Sequence, residues 1–571
     1  MAASLERLLG PRQLIGLAFA LLVAGAGDLV NRGVPHPYMD EVFHIPQARR
    51  FCARDWTYDA KLTTPPGVYL LSLALHRLVP AALTGARACA DVAFLRGTNV
   101  LLLLLLPHLV GALRSVLLAA DALPPAYAAA VTQQQAPARS ATRTAGMRAD
   151  APARAALRSR RAKAAPPALL ANEPQLTLAD VLDAEDAAAL GTRAAWRAAE
   201  AHAVASLPPL VFFACLYYTD VGAVVCVVAA LLMARLHRHV SAAALGLISL
   251  FFRQTNIVWL AFILCSTLIS LPGVASAPGT PLASALRRLA CMPRMRAAGI
   301  ALPYLPVFGL FLLFLAHNGG SIVLGDKAHH EVSLHLAQLP YLAAFALFFG
   351  WPALLAQAGG PLALARRTWR SCAGSTQALA SSAALLGAMG AAVQCGSVAH
   401  PFLLADNRHY AFYAWRRVLS PHRHALVPLY ALAARMWWDA LATTQSPLWL
   451  LGVVLSAALT LVPSPLLEPR YFLLPYLVMR LHLLPGRHGA PGETAAAADA
   501  EPTAPAAAAA AAAAPAASAL LGPPTPPPWA RAALFAEAAL NLALGAATLF
   551  VFLRRPFEWP SEPGVAQRFM W

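Results

Sequence analysis

Apolar runs of helix length recur along almost the whole chain, and each is close to the roughly 20 residues needed to cross a bilayer core. They fall near 13–30, 68–83, 98–120, 204–218, 221–236, 242–269 and 299–316. Others follow near 338–355, 378–393, 424–437, 448–462, 466–483 and 532–553. Backbone groups in lipid must bond internally, and these runs lack the alternation of barrel strands, so helices are the only solution. The expected fold is an all-α polytopic membrane protein, a bundle of roughly 11–14 transmembrane helices, several of them short or broken by proline. Composition agrees, with 58% apolar and only 12% charged residues, where soluble domains carry about 25% charged. The net charge of +17 does not point to nucleic acid, because the basic residues are scattered between apolar runs instead of forming one stripe. Anionic lipid or phosphate is the better partner.

The domain plan is read from shifts in composition. Residues 1–132 hold the N-terminal spans and a first loop, 31–65, and residues 133–202 are an Ala/Arg-rich, low-complexity basic insertion. Residues 203–485 form a central multi-span bundle, 486–528 an Ala/Pro-rich insertion expected to be disordered, and 529–571 a final span and tail. Both insertions add length without chemistry. Arg7 and Arg12 before the first run place the amino terminus in the cytoplasm and the first loop on the opposite side. Eight cysteines without a CxxC pair argue against a disulfide framework and a zinc ribbon. Cys215, Cys226, Cys265 and Cys395 read as small core hydrophobes.

Chemistry is concentrated in polar islands between the runs. In the first loop, Pro35 and Pro37 end the first helix, and Pro46 is placed to open a short one with Ala48, Phe51 and Cys52 on its apolar face. Asp40 and Glu41 then sit at a turn just above the bilayer, partly desolvated, which raises a carboxylate's affinity for a proton and suits a general base. Phe251–Trp259 puts Arg253, Gln254, Thr255 and Asn256 inside an apolar run, where each is costly unless paired or facing a cavity. Between residues 317 and 335, Asp326, Lys327, His329, His330, Glu331 and His335 form a polar cluster that could bind phosphate or sugar. Adjacent histidines diverge on a helix, so His329 and His330 chelate poorly, and only the i,i+4 pair Glu331 and His335 leaves a metal alternative. The densest island runs from His400 through Asp406, Asn407, Arg408, His409 and Tyr410 to Arg417. Its guanidinium offers bidentate hydrogen bonds to phosphate. Glu468 and Arg470 read as an interfacial ion pair. No P-loop, GxSxG elbow, HExxH or Rossmann glycine set is present, so the chemistry falls to carboxylates, arginines and histidines.

The islands together resemble a known family, the eukaryotic dolichyl-phosphate-glucose α-1,2-glucosyltransferases, which add the last glucose to the lipid-linked oligosaccharide of N-glycosylation. The carrying motifs are PYMDEVFHIPQARRFC (37–52), LTTPPGVYLLS (62–72), LYYTD (216–220), FRQTNIVW (252–259) and GDKAHHEVSLHLAQLPY (325–341). HPFLLADNRHYAFYAWRR (400–417), EPRYFLLPY (468–476) and QRFMW (567–571) continue the series in order. The family is similar to the multi-span C-type glycosyltransferases of the endoplasmic reticulum membrane, which take sugar from dolichyl phosphate on the luminal side.

What the resemblance implies is an inverting transfer of glucose from dolichyl phosphate glucose to a diglucosylated lipid-linked acceptor. Asp40 becomes the expected base and Glu41 its acidic partner or an orienting group. Dolichyl phosphate leaves as an anion without a general acid, so one carboxylate suffices where a glycoside hydrolase needs two. Arg408 and His409 are expected to receive the phosphate, with Arg253 and Lys327 behind them. His44, Gln254, Asn256, His400, Asp406 and Asn407 are substrate-binding candidates. The expected partners are the lipid donor, the lipid-linked acceptor and the membrane, with no cofactor and no metal. A transporter or channel-associated protein without transferase activity is the competing class. Inverted repeats would favour it, and no convincing one is found.

Overall fold

The computed structural model describes residues 10–78, 88–122, 192–327, 331–484 and 528–571. It is a helical bundle; among the described residues, the strands are a short antiparallel pair, Phe557–Trp559 with Glu562–Gln567. Five helices are long and apolar enough to cross a membrane: Pro11–Gly33, Val92–Leu118, Gln338–Ala358, Thr376–Gly396 and Pro528–Arg554. A sixth candidate is the pair Arg294–Ala301 and Leu305–His317, bent by 60°. The polytopic, all-α character of the chain is therefore plain: among the described residues five or six spans are full-length, and Gly67–Leu78, His239–Leu250, Asn256–Leu268 and Pro447–Leu461 are shorter apolar helices. Several apolar runs are split. Run 242–269 becomes His239–Leu250 and Asn256–Leu268. Run 204–218 becomes the end of Thr192–Ala205 and the short Pro208–Ala214. Run 466–483 begins with a 3-10 turn at Pro469–Phe472.

Each split is stitched by polar groups. The break at 251–255 is held by Asn256, whose amide donates to Ser249 O at 3.1 Å, and by Gln254, which donates to Thr63 O at 2.8 Å. Gly67 N donates to Phe251 O at 2.8 Å. A Cβ on Gly67 would meet that carbonyl oxygen at 2.5 Å, so only glycine lets the first loop lie against the break.

The polar islands gather at one end of the bundle. Backbone bonds join them there: Leu324 N to Thr63 O, Ser333 N to Pro463 O, Ala337 N to Gly396 O and Tyr410 N to Met570 O. The opposite half is closed by a buried ion cluster. Arg480 pairs with Glu537 at 2.8 Å and Glu200 at 3.3 Å, and Arg114 pairs with Glu200 at 2.8 Å. Arg114 precedes the first insertion and Glu200 lies at its end; Arg480 and Glu537 flank the second. The cluster thus ties together the four helices from which both insertions depart. Most of each insertion lies outside the described residues. The last residues of the first insertion, 192–202, belong to the helix Thr192–Ala205, which packs on the bundle and supplies Glu200.

The first loop also differs from expectation. Its helix runs from Glu41 to Cys52 with Pro46 inside it, so Pro46 does not open it. Ala48 and Phe51 are buried as expected, while Cys52 is bonded to Cys89, 37 residues away. A single bridge at that separation leaves no short-spacing signature, which is why cysteine count alone argued against it. Cys215 and Cys226 are buried, but Cys265 and Cys395 face outward.

Candidate active site

At the end where the islands meet lies a cavity of about 930 Å³. Its floor is the turn that starts helix Glu41–Cys52. Met39 adopts a left-handed φ of 55°, an uncommon conformation for a residue with a Cβ. The strained turn is pinned on both sides: Tyr38 N donates to Glu41 Oε2 at 3.0 Å, and Asp40 N donates to Tyr218 Oη at 3.2 Å. That geometry sends the two neighbouring acids in opposite directions. Asp40 enters the cavity wall, and its side chain keeps 39% exposure. Glu41 turns inward, is fully buried, and takes Arg96 Nε at 2.8 Å, Arg96 Nη2 at 2.6 Å and Tyr217 N at 2.7 Å.

Asp40 Oδ2 accepts from Arg470 Nη1 at 3.0 Å, and Oδ1 is left to the cavity among the described residues. Desolvation raises the affinity of this carboxyl for a proton, but the Arg470 guanidinium outweighs it and holds the group below the usual carboxylate range. The sign expected from desolvation alone is thereby reversed, and Asp40 is an anion at neutral pH. His44 lines the same wall, with Nδ1 2.5 Å from Tyr69 Oη. Burial pushes its pKa down to about 4 against the pull of Asp40, so its ring is neutral.

Arg470 is the hub of the site. It also pairs with Glu468, lies 4.0 Å from Asp220 Oδ2, and stacks its guanidinium 5.4 Å from the Tyr218 ring centre. Asp220 in turn binds Arg253 Nη2 at 2.6 Å, and Arg253 stands 5.2 Å over Tyr471.

The facing wall is the island 406–410. Asp406 grips Arg408 through Nε at 2.8 Å and Nη2 at 2.7 Å, with His409 Nε2 3.8 Å from Oδ2. Lys61 also lines the cavity, exposed and without an ion pair among the described residues.

Of the residues singled out from sequence, Asp40, His44, Arg253, Asp406, Arg408 and His409 share this cavity, joined by Asp326. Glu41, Gln254, Asn256, His400, Asn407 and Lys327 do not line it. Glu41 is sealed against Arg96, and Gln254 and Asn256 hold the helix break. His400 Nδ1 caps the short helix Pro401–Ala405, Asn407 Oδ1 accepts from Trp559 Nε1 at 2.8 Å, and Lys327 donates to Asn318 O at 2.9 Å. His329 and His330 lie outside the described residues. Glu331 is exposed whereas His335 is fully buried, and no group of three metal-ligating side chains occurs among the described residues.

Sequence reasoning missed Arg470 as the partner of Asp40, together with Asp220, Tyr218 and Trp559. Asp40 and Arg470 are 430 positions apart, so no local pattern joins them. The available signal was that EPRYFLLPY and LYYTD each put charge at the mouth of an apolar run.

An all-α, polytopic chain with an ionised carboxylate and several arginines lining one cavity at the end of its bundle is a multi-pass membrane protein. More particularly, the chain belongs to the DIE2/ALG10 family, whose model matches residues 34–138 and 175–481. It is similar over nearly its whole length to proteins named Dol-P-Glc:Glc(2)Man(9)GlcNAc(2)-PP-Dol alpha-1,2-glucosyltransferase. The Mycosarcoma maydis protein is 31% identical, covering 97% of each chain. The Arabidopsis thaliana protein is 27% identical over 97% of this chain and 98% of its own, and a Homo sapiens protein 28% over 95% and 94%. No solved structure matches the chain.

Proposed function

We propose that this chain transfers glucose from dolichyl phosphate glucose to the diglucosylated lipid-linked oligosaccharide, forming the terminal α-1,2 linkage of the N-glycan precursor. The observation that carries this reading is the placement of Asp40, ionised, in a cavity that Arg408, His409 and Lys61 also line. Family membership and the names of the full-length relatives support it.

In this reading Asp40 Oδ1 takes the proton of the acceptor hydroxyl as its oxygen bonds to the anomeric carbon. The bond from that carbon to the phosphate oxygen breaks, and the configuration inverts from β to α. Dolichyl phosphate departs with the electron pair and is neutralised by Lys61, Arg408 and His409. Arg470 fixes the carboxylate through Oδ2 and keeps it charged. Glu41 takes no proton; it positions the turn. Positively charged side chains do what a metal ion would otherwise do, so the transfer is metal-independent.

The cavity faces the lumen of the endoplasmic reticulum in this account. Disulfides persist in oxidising compartments, which favours that side for the Cys52–Cys89 bridge. The short helices at the far end carry Arg287, Arg288, Arg294, Arg296 and Arg366, as cytoplasmic segments do.

The test is transfer by microsomes carrying the full chain in cells lacking their own enzyme. Labelled glucose should pass from dolichyl phosphate glucose to the diglucosylated acceptor, with EDTA present. Transfer from dolichyl phosphate mannose instead, or a requirement for a divalent ion, would reject the reading.

A further inference from the structure

The geometry points to the C-terminal tail, residues 557–571, as a positioning part of the catalytic apparatus, with Trp559 and Gln567 holding Arg408 in place to receive the leaving phosphate. This inference rests on the transfer reaction proposed above. The tail lies outside the residues that the family model matches, 34–138 and 175–481.

Nearly every residue of the island 406–410 is held by the tail. Arg408 Nη1 donates to Gln567 Oε1 at 3.1 Å, and its guanidinium lies 4.6 Å over the Trp559 ring. Asn407 Oδ1 takes the Trp559 indole N–H at 2.8 Å, which fixes the plane of that ring. Met570 N donates to Arg408 O at 2.9 Å, and Tyr410 N donates to Met570 O at 2.9 Å, so the two segments form a parallel bridge. His409 Nδ1 stands 3.2 Å from Trp571 O. A guanidinium gripped by Asp406 on one edge, by Gln567 on another and by an indole on its face has few rotamers left. Preorganisation of that kind is what stabilises charge that develops only in the transition state.

The tail is also anchored to the half of the cavity that holds the base. Arg568 donates to the carbonyls of Phe552 at 2.8 Å, Leu553 at 3.1 Å and Gly33 at 3.1 Å, the ends of two long helices. Tyr38 Oη donates to Arg568 O and accepts from Arg568 N, both at 2.7 Å. Tyr38 is two residues before Asp40 and shares its strained turn. The tail therefore spans from the base to the cations and sets their separation. A displacement of about 1 Å in such a pair costs on the order of 100-fold in rate.

The experiment uses full-length chains in microsomes with donor and acceptor each varied. Trp559→Ala should lower kcat about tenfold or more, with the acceptor KM within twofold of wild type. Trp559→Phe, which keeps a ring beneath the guanidinium, should restore most of the loss. Gln567→Met, close in size and lacking the acceptor oxygen, should lower kcat in the same sense and covers the case in which Trp559→Ala does not accumulate. Wild-type kcat in Trp559→Ala or in Gln567→Met overturns the proposal, as does a loss confined to acceptor KM. Absence of transfer by the wild-type chain would instead reject the underlying reaction, so the two failures are distinguishable.

Discussion

The adjacent acids Asp40 and Glu41 should fail in opposite ways. Glu41 and Arg96 are both shut away from solvent, at 0% and 1% exposure, and share a two-pronged bond. Glu41→Ala leaves that guanidinium buried without its counter-charge, a change that costs about 3–5 kcal/mol. It also strips the acceptor from two backbone N–H groups, of Tyr38 and Tyr217, at about 1–3 kcal/mol each. Arg96 keeps its bonds to Val34 O, His36 O and Asn31 Oδ1, which pulls the loss toward the low end of these ranges. A loss of at least about 5 kcal/mol is comparable to the whole stability of an ordinary folded domain, about 5–15 kcal/mol. Glu41→Ala should therefore be cleared from microsomes in a synthesis-block chase. Glu41→Gln should be intermediate, and Asp40→Asn, at a partly exposed position, should persist like wild type. Should Glu41→Ala accumulate and melt in detergent within about 2 °C of wild type, the structural role assigned to Glu41 is wrong.

Three further outcomes follow from the same geometry. Arg470→Gln removes the charge that holds Asp40 below the usual carboxylate range, so the base protonates at higher pH than in wild type. Transfer should then be lost first at the acidic end and recover as pH rises, and a pH–rate profile superimposable on wild type would contradict the pairing. Lys61→Ala should lower the donor kcat/KM several-fold and no more, because an exposed cation contributes only about 0–1 kcal/mol; an unchanged donor kcat/KM would remove Lys61 from the phosphate site. The Cys52–Cys89 bridge closes a loop of 37 residues and should contribute about 4 kcal/mol by loop entropy. Cys52→Ser should lower thermal stability, and both cysteines should resist thiol labelling until reduced; labelling of unreduced wild-type chain at either position would contradict the bridge.

Helix content, the order of the apolar runs and the general location of the chemistry were legible in the sequence because lipid imposes length and internal hydrogen bonding on every span. The number of full-length spans was not. Apolar runs look continuous in composition even where Asn256 or Pro208 splits the helix, and the groups that mend a split, such as Gly67 and Thr63, come from elsewhere in the chain. The site was legible as residue types but not as partnerships. Asp40, Arg408 and His409 stood out because they are dense polar residues beside apolar runs. Glu41 and Lys327 stood out on the same ground, yet one turns into the core and the other binds a loop carbonyl. Burial direction at a turn depends on tertiary partners, here Arg96, which lies in an apolar helix with no local sign of its role. In the sequence the tail is legible only as a short motif, and its grip on the island at 406–410 depends on contacts across 152 to 159 residues.

The central claim, that Asp40 is the base, is tested most directly by single-turnover glucose transfer in matched microsomes carrying wild-type chain or Asp40→Asn. The account predicts that Asp40→Asn accumulates normally and still binds dolichyl phosphate glucose, while the rate of transfer falls by about 10²–10⁴-fold, the usual worth of a general base. A rate within a few-fold of wild type would contradict it and move the proton acceptor to another group.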